Sequence, residues 1–168
     1  MISHALVFVA DREDGFAGGL ELADGILSLQ KLFEMRLAKG TMAVLSACET
    51  GVIGEKLPDE VLSIASGMLQ SGASAVVSSL WAGQDVSTAV LMARFYFLWR
   101  DEGQPPATAL RAAQCWMRDS DNATTAAFLR ANVAPELGGG LVHSLESDPS
   151  ASTLGHCVHW AAFTYTGR

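Results

Sequence analysis

The sequence predicts a single α/β domain over residues 1–168, with helices packed on a mostly parallel sheet. Strand-like runs alternate with helix-like segments in the order strand, helix, strand, helix, strand, which favours parallel strands joined by right-handed crossovers. The second and third runs, Met42–Cys48 and Ala75–Leu80, are short and mainly apolar, as is typical of strands covered on both faces. The chain length of 168 residues suffices for one hydrophobic core and is too short for two ordinary domains.

The first half of the chain supplies the alternating elements of this sheet. Residues Ser3–Ala10 are expected to be the end of the first strand running into a loop, and the segment Asp11–Gly19 that follows carries charges and three glycines. Apolar residues at helical spacing predict an amphipathic helix over Leu27–Ala38, with Gly40 as its stop. The strand that contains Cys48 is followed by a loop and a second helix, which is expected to end at Gly72.

The second half adds more helices and a last strand. Asp85 can cap one helix, and Pro105-Pro106 open the next. Residues 121–153 are expected to be a variable insertion with a short helix over Ala123–Ala131 and then a surface loop rich in glycine, serine, proline and acidic residues. Cys157–Tyr165 has the composition of a strand.

Composition and charge exclude several classes of function. Hydrophobic residues make up 49% and charged residues 17%, which excludes a disordered chain. No apolar run approaches the roughly 20 residues that a membrane helix needs. The net charge of −7 disfavours nucleic acid and anionic membranes as partners. The three cysteines are widely spaced without a CxxC pair, and the N-terminus lacks a basic signal-peptide region, so a reducing cytoplasm is expected.

Two residues with nucleophile and acid/base chemistry are predicted at one edge of the sheet. Catalytic groups of open parallel sheets gather beyond the carboxyl ends of the strands. His4 lies near the end of the first strand-like run and Cys48 ends the second, so neighbouring parallel strands would present both at one edge. The imidazole could favour the thiolate and later protonate a leaving amine, and the backbone N–H groups of Ala5 and Cys48 could stabilise an oxyanion. The carboxylate of Glu49 would oppose thiolate formation.

The residues alone leave a second interpretation open, because a single cysteine at a strand end is commonly an inert packing residue. A family resemblance favours the catalytic interpretation. The segment Leu45-Ser-Ala-Cys-Glu-Thr-Gly51 resembles the nucleophile signature of CHAT domains, which are caspase-like cysteine peptidases of clan CD. Ser3-His4-Ala5 resembles the motif that holds the histidine of this family. The resemblance also covers Gly19–Gly25, Gly72–Trp81, Ala109–Gln114 and His156–Phe163, but not the region from Asp121 to Thr153.

The resemblance implies a caspase-like three-layer α/β/α sandwich with endopeptidase activity. Cys48 would be the nucleophile that forms a thioester, His4 its acid/base partner, and Cys115 and Cys157 packing residues. The mechanism needs no metal or organic cofactor. Ala5 stands where many relatives have glycine, which should leave its N–H available.

The family resemblance also implies that a partner completes the sheet. A caspase-like sheet normally starts two strands before the histidine strand, and here Met1 falls almost on His4. The chain is therefore expected to be N-terminally truncated, with an upstream region or a partner chain covering the open strand edge. The alternative function is a catalytically inactive CHAT-like module that binds proteins or peptides.

Other residues give weaker signals. Trp81, Asp85 and Glu49 are candidate substrate contacts, although a Trp in this loop can also pack and an Asp can also cap a helix. His156 and His159 are not expected to bind a metal, because strand alternation would place them on opposite faces.

Two further motifs are expected to carry no function. Gly138-Gly-Gly140 lacks the residues of a phosphate loop and is interpreted as flexible linker. Asn122-Ala-Thr124 matches a glycosylation sequon by chance.

Overall fold

The structure is a computed structural model that describes residues 7–9, 19–22, 25–38, 40–45, 64–81 and 85–168. Two compact units divide the chain, one made of Met1–Ala82 with Phe163–Arg168 and the other of Gly83–Ala162. Helices together with a mixed sheet confirm the predicted α/β class. Among the described helices, none combines the length and the apolar character needed to cross a membrane.

A small antiparallel sheet opens the first unit. It contains β1 (Val7–Val9), β2 (Gly19–Leu22) and β3 (Gly25–Ser28) in the order β1-β2-β3. The sequence predicted the first strand as a parallel neighbour of the strand at Met42, and this prediction is wrong for the described part of β1, which pairs with β2. Hairpin pairing between strands close in sequence thus replaces the predicted crossover at this point.

The helix predicted over Leu27–Ala38 is shorter than expected. Backbone pairing with β2 takes Gly25–Ser28 into β3, so helix α1 covers only Leu29–Glu34. The Ser28 hydroxyl accepts a hydrogen bond from the Lys31 N–H at 3.3 Å and caps the new start. Met35 adopts extended backbone angles and ends the helix well before Gly40.

The main sheet of the first unit is mixed rather than mostly parallel. It contains β4 (Met42–Leu45), β5 (Ala75–Ser79) and β6 (Phe163–Gly167) in the order β4-β5-β6. Strands β4 and β5 are parallel, as predicted, whereas β6 runs antiparallel to β5. Every residue of β5 is buried, which agrees with its apolar sequence and central position.

Helix α2 (Ile64–Gln70) connects to β5 through a tight turn at Gly72. Gly72 has φ +105°, and the predicted end of the helix at this glycine is confirmed. The buried Ser71 fixes the turn, because its hydroxyl lies within hydrogen-bond distance of the carbonyls of Leu32 and Gly67 and shares its one proton between them. The core around α2 contains Leu45, Ile64, Ala65, Ala73 and Val76.

The second unit is helical. Helix α3 (Asp85–Tyr96) continues into a π-helical turn over Phe97–Asp101, and α4 (Pro106–Asp119) begins at the predicted prolines. Its other helices are α5 (Asn122–Asn132), α6 (Pro135–Glu146) and the short α7 (Cys157–Trp160). The buried apolar side chains of α3 and α4 are Val90, Leu91, Met92, Phe95, Ala109, Leu110, Ala113 and Met117.

The prediction of a surface loop after Ala131 is wrong in part, because Pro135–Glu146 forms α6. Pro135 lies in the first turn of α6, where a backbone N–H would have no partner within the helix, so its absence breaks no helical hydrogen bond. Near the other end of the helix, Leu145 is buried. The glycines interpreted as linker lie inside this helix. Gly138 is buried, and a Cβ on it would meet the side chain of Val133, the residue that follows α5, at 3.5 Å. Helix α6 packs against α5.

Alanine substitution in this glycine run is expected to stabilise the protein. A Cβ at Gly139 or at Gly140 would meet no atom within 4 Å, and alanine is favoured over glycine in a helix by about 1 kcal/mol. Gly139→Ala and Gly140→Ala should therefore each raise the free energy of unfolding by up to about 1 kcal/mol in urea titrations followed by circular dichroism. Gly167→Ala should instead lower it, since its Cβ would lie 2.5 Å from the Ala75 Cα. Lower stability in both helix variants would contradict a helical α6.

Asn122 holds the segment after α6 against the start of α5. Its side-chain amide donates to the Asp148 carbonyl at 2.8 Å and to the Thr153 hydroxyl at 2.9 Å, and its carbonyl oxygen accepts from the Thr153 N–H at 3.1 Å. Only 3% of Asn122 is exposed, so its side chain has a structural role despite the sequon. Asp121 caps the same helix by accepting from the Thr124 N–H, and hydrogen bonds from the Thr124 side chain and from its backbone N–H lower the pKa of the Asp121 carboxyl.

Asn122→Ala is expected to lower the free energy of unfolding by about 2–3 kcal/mol, because it leaves partly buried donors and acceptors without partners. The matched control is Asn132→Ala in the same helix. Asn132 is exposed and its side chain makes one hydrogen bond, to the Phe128 carbonyl, so this change should stay within about 0.5 kcal/mol. Urea midpoints measure both, and equal effects would contradict the role assigned to Asn122.

Candidate functional site

The described part of the candidate site is the carboxyl edge of the parallel pair β4–β5. Leu45 at the end of β4 pairs with Ser78 near the end of β5, and both residues are buried. Because the two strands are parallel, their carboxyl ends lie at the same edge of the sheet. This edge is where open α/β sheets place their ligands. The sequence motif around Cys48 begins at Leu45, so it starts at this edge.

The four residues on which the predicted chemistry depends lie outside the described residues. These are His4, Ala5, Cys48 and Glu49. Their roles as acid/base partner, oxyanion donor, nucleophile and substrate contact stay predictions. The structure removes one reason for expecting His4 close to Cys48. Over Val7–Val9, β1 pairs with β2, and β4 belongs to a different sheet.

Trp81 lies where the sequence placed it, just beyond β5. It follows Ser78 by three residues and therefore belongs to the segment that leaves the sheet at the edge described above. Its side chain is partly buried. Leu80 was predicted as the last residue of a buried strand, but it is 44% exposed and lies after the end of β5. Sequence reasoning missed this exposed apolar side chain, since an apolar run does not show where the pairing of a strand stops.

Asp85 is exposed and is the first residue of α3, in the second unit. The prediction that a helix starts at this residue is confirmed. A carboxylate in the first turn interacts favourably with the positive end of the helix dipole. Stabilisation of the helix start accounts for an aspartate here, and its predicted contact with substrate stays a prediction.

The strand predicted over Cys157–Tyr165 begins later than expected, because Cys157–Trp160 forms α7 and β6 starts at Phe163. Strand alternation therefore does not separate His156 from His159, because His156 is the N-cap of α7 and His159 lies within this helix. The His156 Nδ1 accepts a hydrogen bond from the Val158 N–H at 3.3 Å and caps the helix. Within the part of the chain that the structure describes, no three His, Cys, Asp or Glu residues form a group suited to a metal ion.

The two cysteines with predicted packing roles differ in their surroundings. Cys115 is partly buried in α4, whereas Cys157 is exposed, so the packing role predicted for Cys157 is wrong. The Cys157 Sγ lies 4.0 Å from the His156 Nδ1. Both thiols are free.

Comparison with known proteins gives one result for the whole chain. The sequence model of the CHAT domain family matches residues 1–168. A search of curated proteins found no match. The family match includes the region between Asp121 and Thr153, where the sequence motifs showed no resemblance.

Proposed function

This chain belongs to the CHAT domain family, and from that membership we propose that it is a cysteine endopeptidase with Cys48 as nucleophile and His4 as acid/base partner. The observation that carries the proposal is the family match over residues 1–168, which includes the motif Leu45–Gly51. The fold supports the proposal through the position of this motif, which begins at the carboxyl edge of the parallel strand pair β4–β5, where open α/β sheets place their ligands.

In the proposed reaction, the Cys48 thiolate attacks the carbonyl carbon of the scissile peptide bond. The N–H groups of Ala5 and Cys48 donate to the oxygen that gains negative charge. The imidazolium of His4 protonates the departing amine, which leaves a thioester on Cys48. Water then attacks the thioester while His4 accepts its proton, and the carboxylic acid product leaves with the thiolate restored.

Trp81, Asp85 and Glu49 are the proposed substrate contacts. The strongest support exists for Trp81, because the segment that carries it leaves the sheet at the same edge as the segment that leads to Cys48. A tryptophan there offers a large apolar surface together with one N–H donor. The exposed Leu80 beside it extends this apolar surface.

We also propose a partner strand and a reducing compartment. Within the described residues β4 pairs only with β5, so a strand from an upstream region or a partner chain could pair with the other side of β4. The free thiols of Cys115 and Cys157 agree with a cytoplasmic location, where cysteines stay reduced.

A peptidyl electrophile tests the proposed nucleophile. A peptidyl acyloxymethyl ketone alkylates activated thiolates, and mass spectrometry of the digested protein locates the label. We expect the label on Cys48 in preference to Cys115 and Cys157, and slower labelling in the His4→Ala variant. Cys157 is exposed and lies outside the proposed site, so it serves as an internal standard for the labelling of an accessible thiol. Labelling that is strongest at Cys157, or equal at all thiols, would favour the non-catalytic interaction module instead.

A further inference from the structure

The two free cysteines of the second unit lie on helices that contact each other. Cys115 lies in α4 and is partly buried, whereas Cys157 is exposed and is the first residue of α7. Cα atoms of α4 and α7 approach within 8 Å of each other. A disulfide usually joins residues whose Cα atoms are about 4.4–6.8 Å apart, so the two helices lie close to the separation that a disulfide needs.

Two contacts between α4 and the segment around α7 flank the cysteines. The Gln114 side-chain amide donates a hydrogen bond to the Trp160 carbonyl at 3.1 Å. Gly155 lies against the end of α4, because a Cβ on it would be 3.2 Å from the Arg118 carbonyl oxygen. The two segments therefore run in opposite directions, and each carries its cysteine between these two contacts.

Helix α7 can shift towards α4 at a small cost in free energy. It spans four residues, and none of them is buried. Elements with few buried contacts open and move more readily than the core. On α4, Cys115 shares a helix face with Arg118, three residues further along, and Arg118 is the residue whose backbone Gly155 contacts. A local movement of α7 is therefore enough to bring the two sulfurs together.

We propose that Cys115 and Cys157 form a reversible disulfide when the protein meets a small-molecule disulfide, and that this bond fixes α7 to α4. The exposed Cys157 attacks first, and the partly buried Cys115 resolves the intermediate. Disulfides of proteins in reducing compartments are commonly transient and redox-sensing. The proposal involves neither Cys48 nor His4, so it can fail or succeed independently of the proposed function.

The proposed reaction consists of two thiol–disulfide exchanges. The Cys157 thiolate attacks one sulfur of the small disulfide, which forms a mixed disulfide and releases one small thiolate. The Cys115 thiolate then attacks the Cys157 Sγ, which forms the internal disulfide and releases the second small thiolate. The two released thiolates take up the two protons that the cysteines lost. Two cysteine thiols are thus oxidised while one small disulfide is reduced. The His156 Nδ1, 4.0 Å from the Cys157 Sγ, is placed to accept the first proton.

Oxidised glutathione is the probe that tests the proposal. The full chain is incubated with it, its remaining thiols are alkylated, and gel filtration without reductant separates the monomer from linked copies. The monomer is then digested without reduction and analysed by mass spectrometry. We expect one dominant linked pair of peptides, that of Cys115 with Cys157, which disappears after dithiothreitol. The same treatment in concentrated urea is the control, because the three cysteines of the unfolded chain should pair without this selectivity.

Three variants test the order of the two steps. Cys115→Ala should accumulate the glutathione mixed disulfide on Cys157, because the second exchange is blocked. Cys157→Ala should carry about tenfold less mixed disulfide on Cys115 after the same time, since that thiol is partly buried. His156→Asn keeps a side chain suited to cap α7 but removes the proton acceptor, so it should slow the first exchange and leave the linked pair unchanged.

The outcomes decide whether the bond belongs to the folded protein. An oxidised chain that unfolds at a higher urea concentration than the reduced chain supports a disulfide that fits the native helices. A dominant pair that includes Cys48, or a Cys115–Cys157 link found only between two copies, would overturn the proposal. A wild-type chain that stops at the mixed disulfide on Cys157, or that pairs its cysteines as unselectively as in urea, would overturn it as well.

Discussion

Cys48→Ala is expected to abolish peptide-bond hydrolysis by this protein. Alanine cannot form the thioester, and removing the nucleophile of a protease lowers kcat on the order of 10⁴- to 10⁶-fold. The measurement is the appearance of new N-termini in a pool of peptides incubated with the protein, followed by mass spectrometry. Because the pool contains many sequences, the result does not depend on knowing the preferred cleavage site.

The controls for this loss are the other two thiols. Cys115→Ala and Cys157→Ala should leave the hydrolysis rate unchanged, since neither residue belongs to the proposed site. Cys115 lies within α4 and Cys157 begins α7, both in the second unit. Hydrolysis that survives in Cys48→Ala but disappears in either control would assign the activity to a different cysteine.

Phe95→Ala is expected to cause the largest loss of stability. Phe95 lies in α3 with 0% of its surface exposed, and its ring stacks on Trp99 at 5.6 Å and contacts Tyr96 at 5.2 Å. Truncation of a buried phenylalanine removes apolar burial and leaves a cavity, at a cost of about 3–5 kcal/mol. Urea unfolding followed by tryptophan fluorescence and by circular dichroism measures the change.

The matched control for Phe95 lies on the same helix. Val86 is 50% exposed, so Val86→Ala should change the free energy of unfolding by no more than about 0.5 kcal/mol. A loss below 1 kcal/mol in Phe95→Ala would show that the core of the second unit does not depend on this ring.

The elements predicted correctly are those in which local preference and packing agree. Strand β5 was predicted from an apolar run, and the structure buries every one of its residues. Helix α4 begins at the predicted prolines, and its apolar residues Leu110, Ala113 and Met117 are buried while Trp116 is partly buried. At Gly72 the backbone needs a positive φ, and glycine provides this conformation without strain.

The failures occur where pairing or packing overrides local preference. The apolar residues before Ser28 match a helical spacing, but backbone pairing with β2 draws them into a strand. Three consecutive glycines predicted a linker, yet they lie inside α6, a helix that packs against α5. Near Cys157, apolar and aromatic residues suggested a strand, whereas His156 caps a helical turn.

The candidate site was predicted from a motif and not from periodicity. The pattern of apolar residues predicted a strand over Met42–Cys48, and the structure confirms it over Met42–Leu45 as β4, with β5 as its parallel partner. The same pattern could not show which strand lies beside β4, because pairing partners depend on contacts between residues far apart in sequence. For this reason the proposed contact between Cys48 and His4 depends on the family and needs a direct test.

Trapping the covalent intermediate is the most direct test of the central claim. The protein is mixed with an activated peptide ester, quenched in acid within the first turnover, digested and analysed by mass spectrometry. We expect the acyl group of the peptide on Cys48, removed by hydroxylamine as a thioester is, and retained longer in His4→Ala, where deacylation lacks its base. An acyl group found on Cys115 or Cys157 alone, or no acylated cysteine during measurable hydrolysis, would contradict Cys48 as the nucleophile.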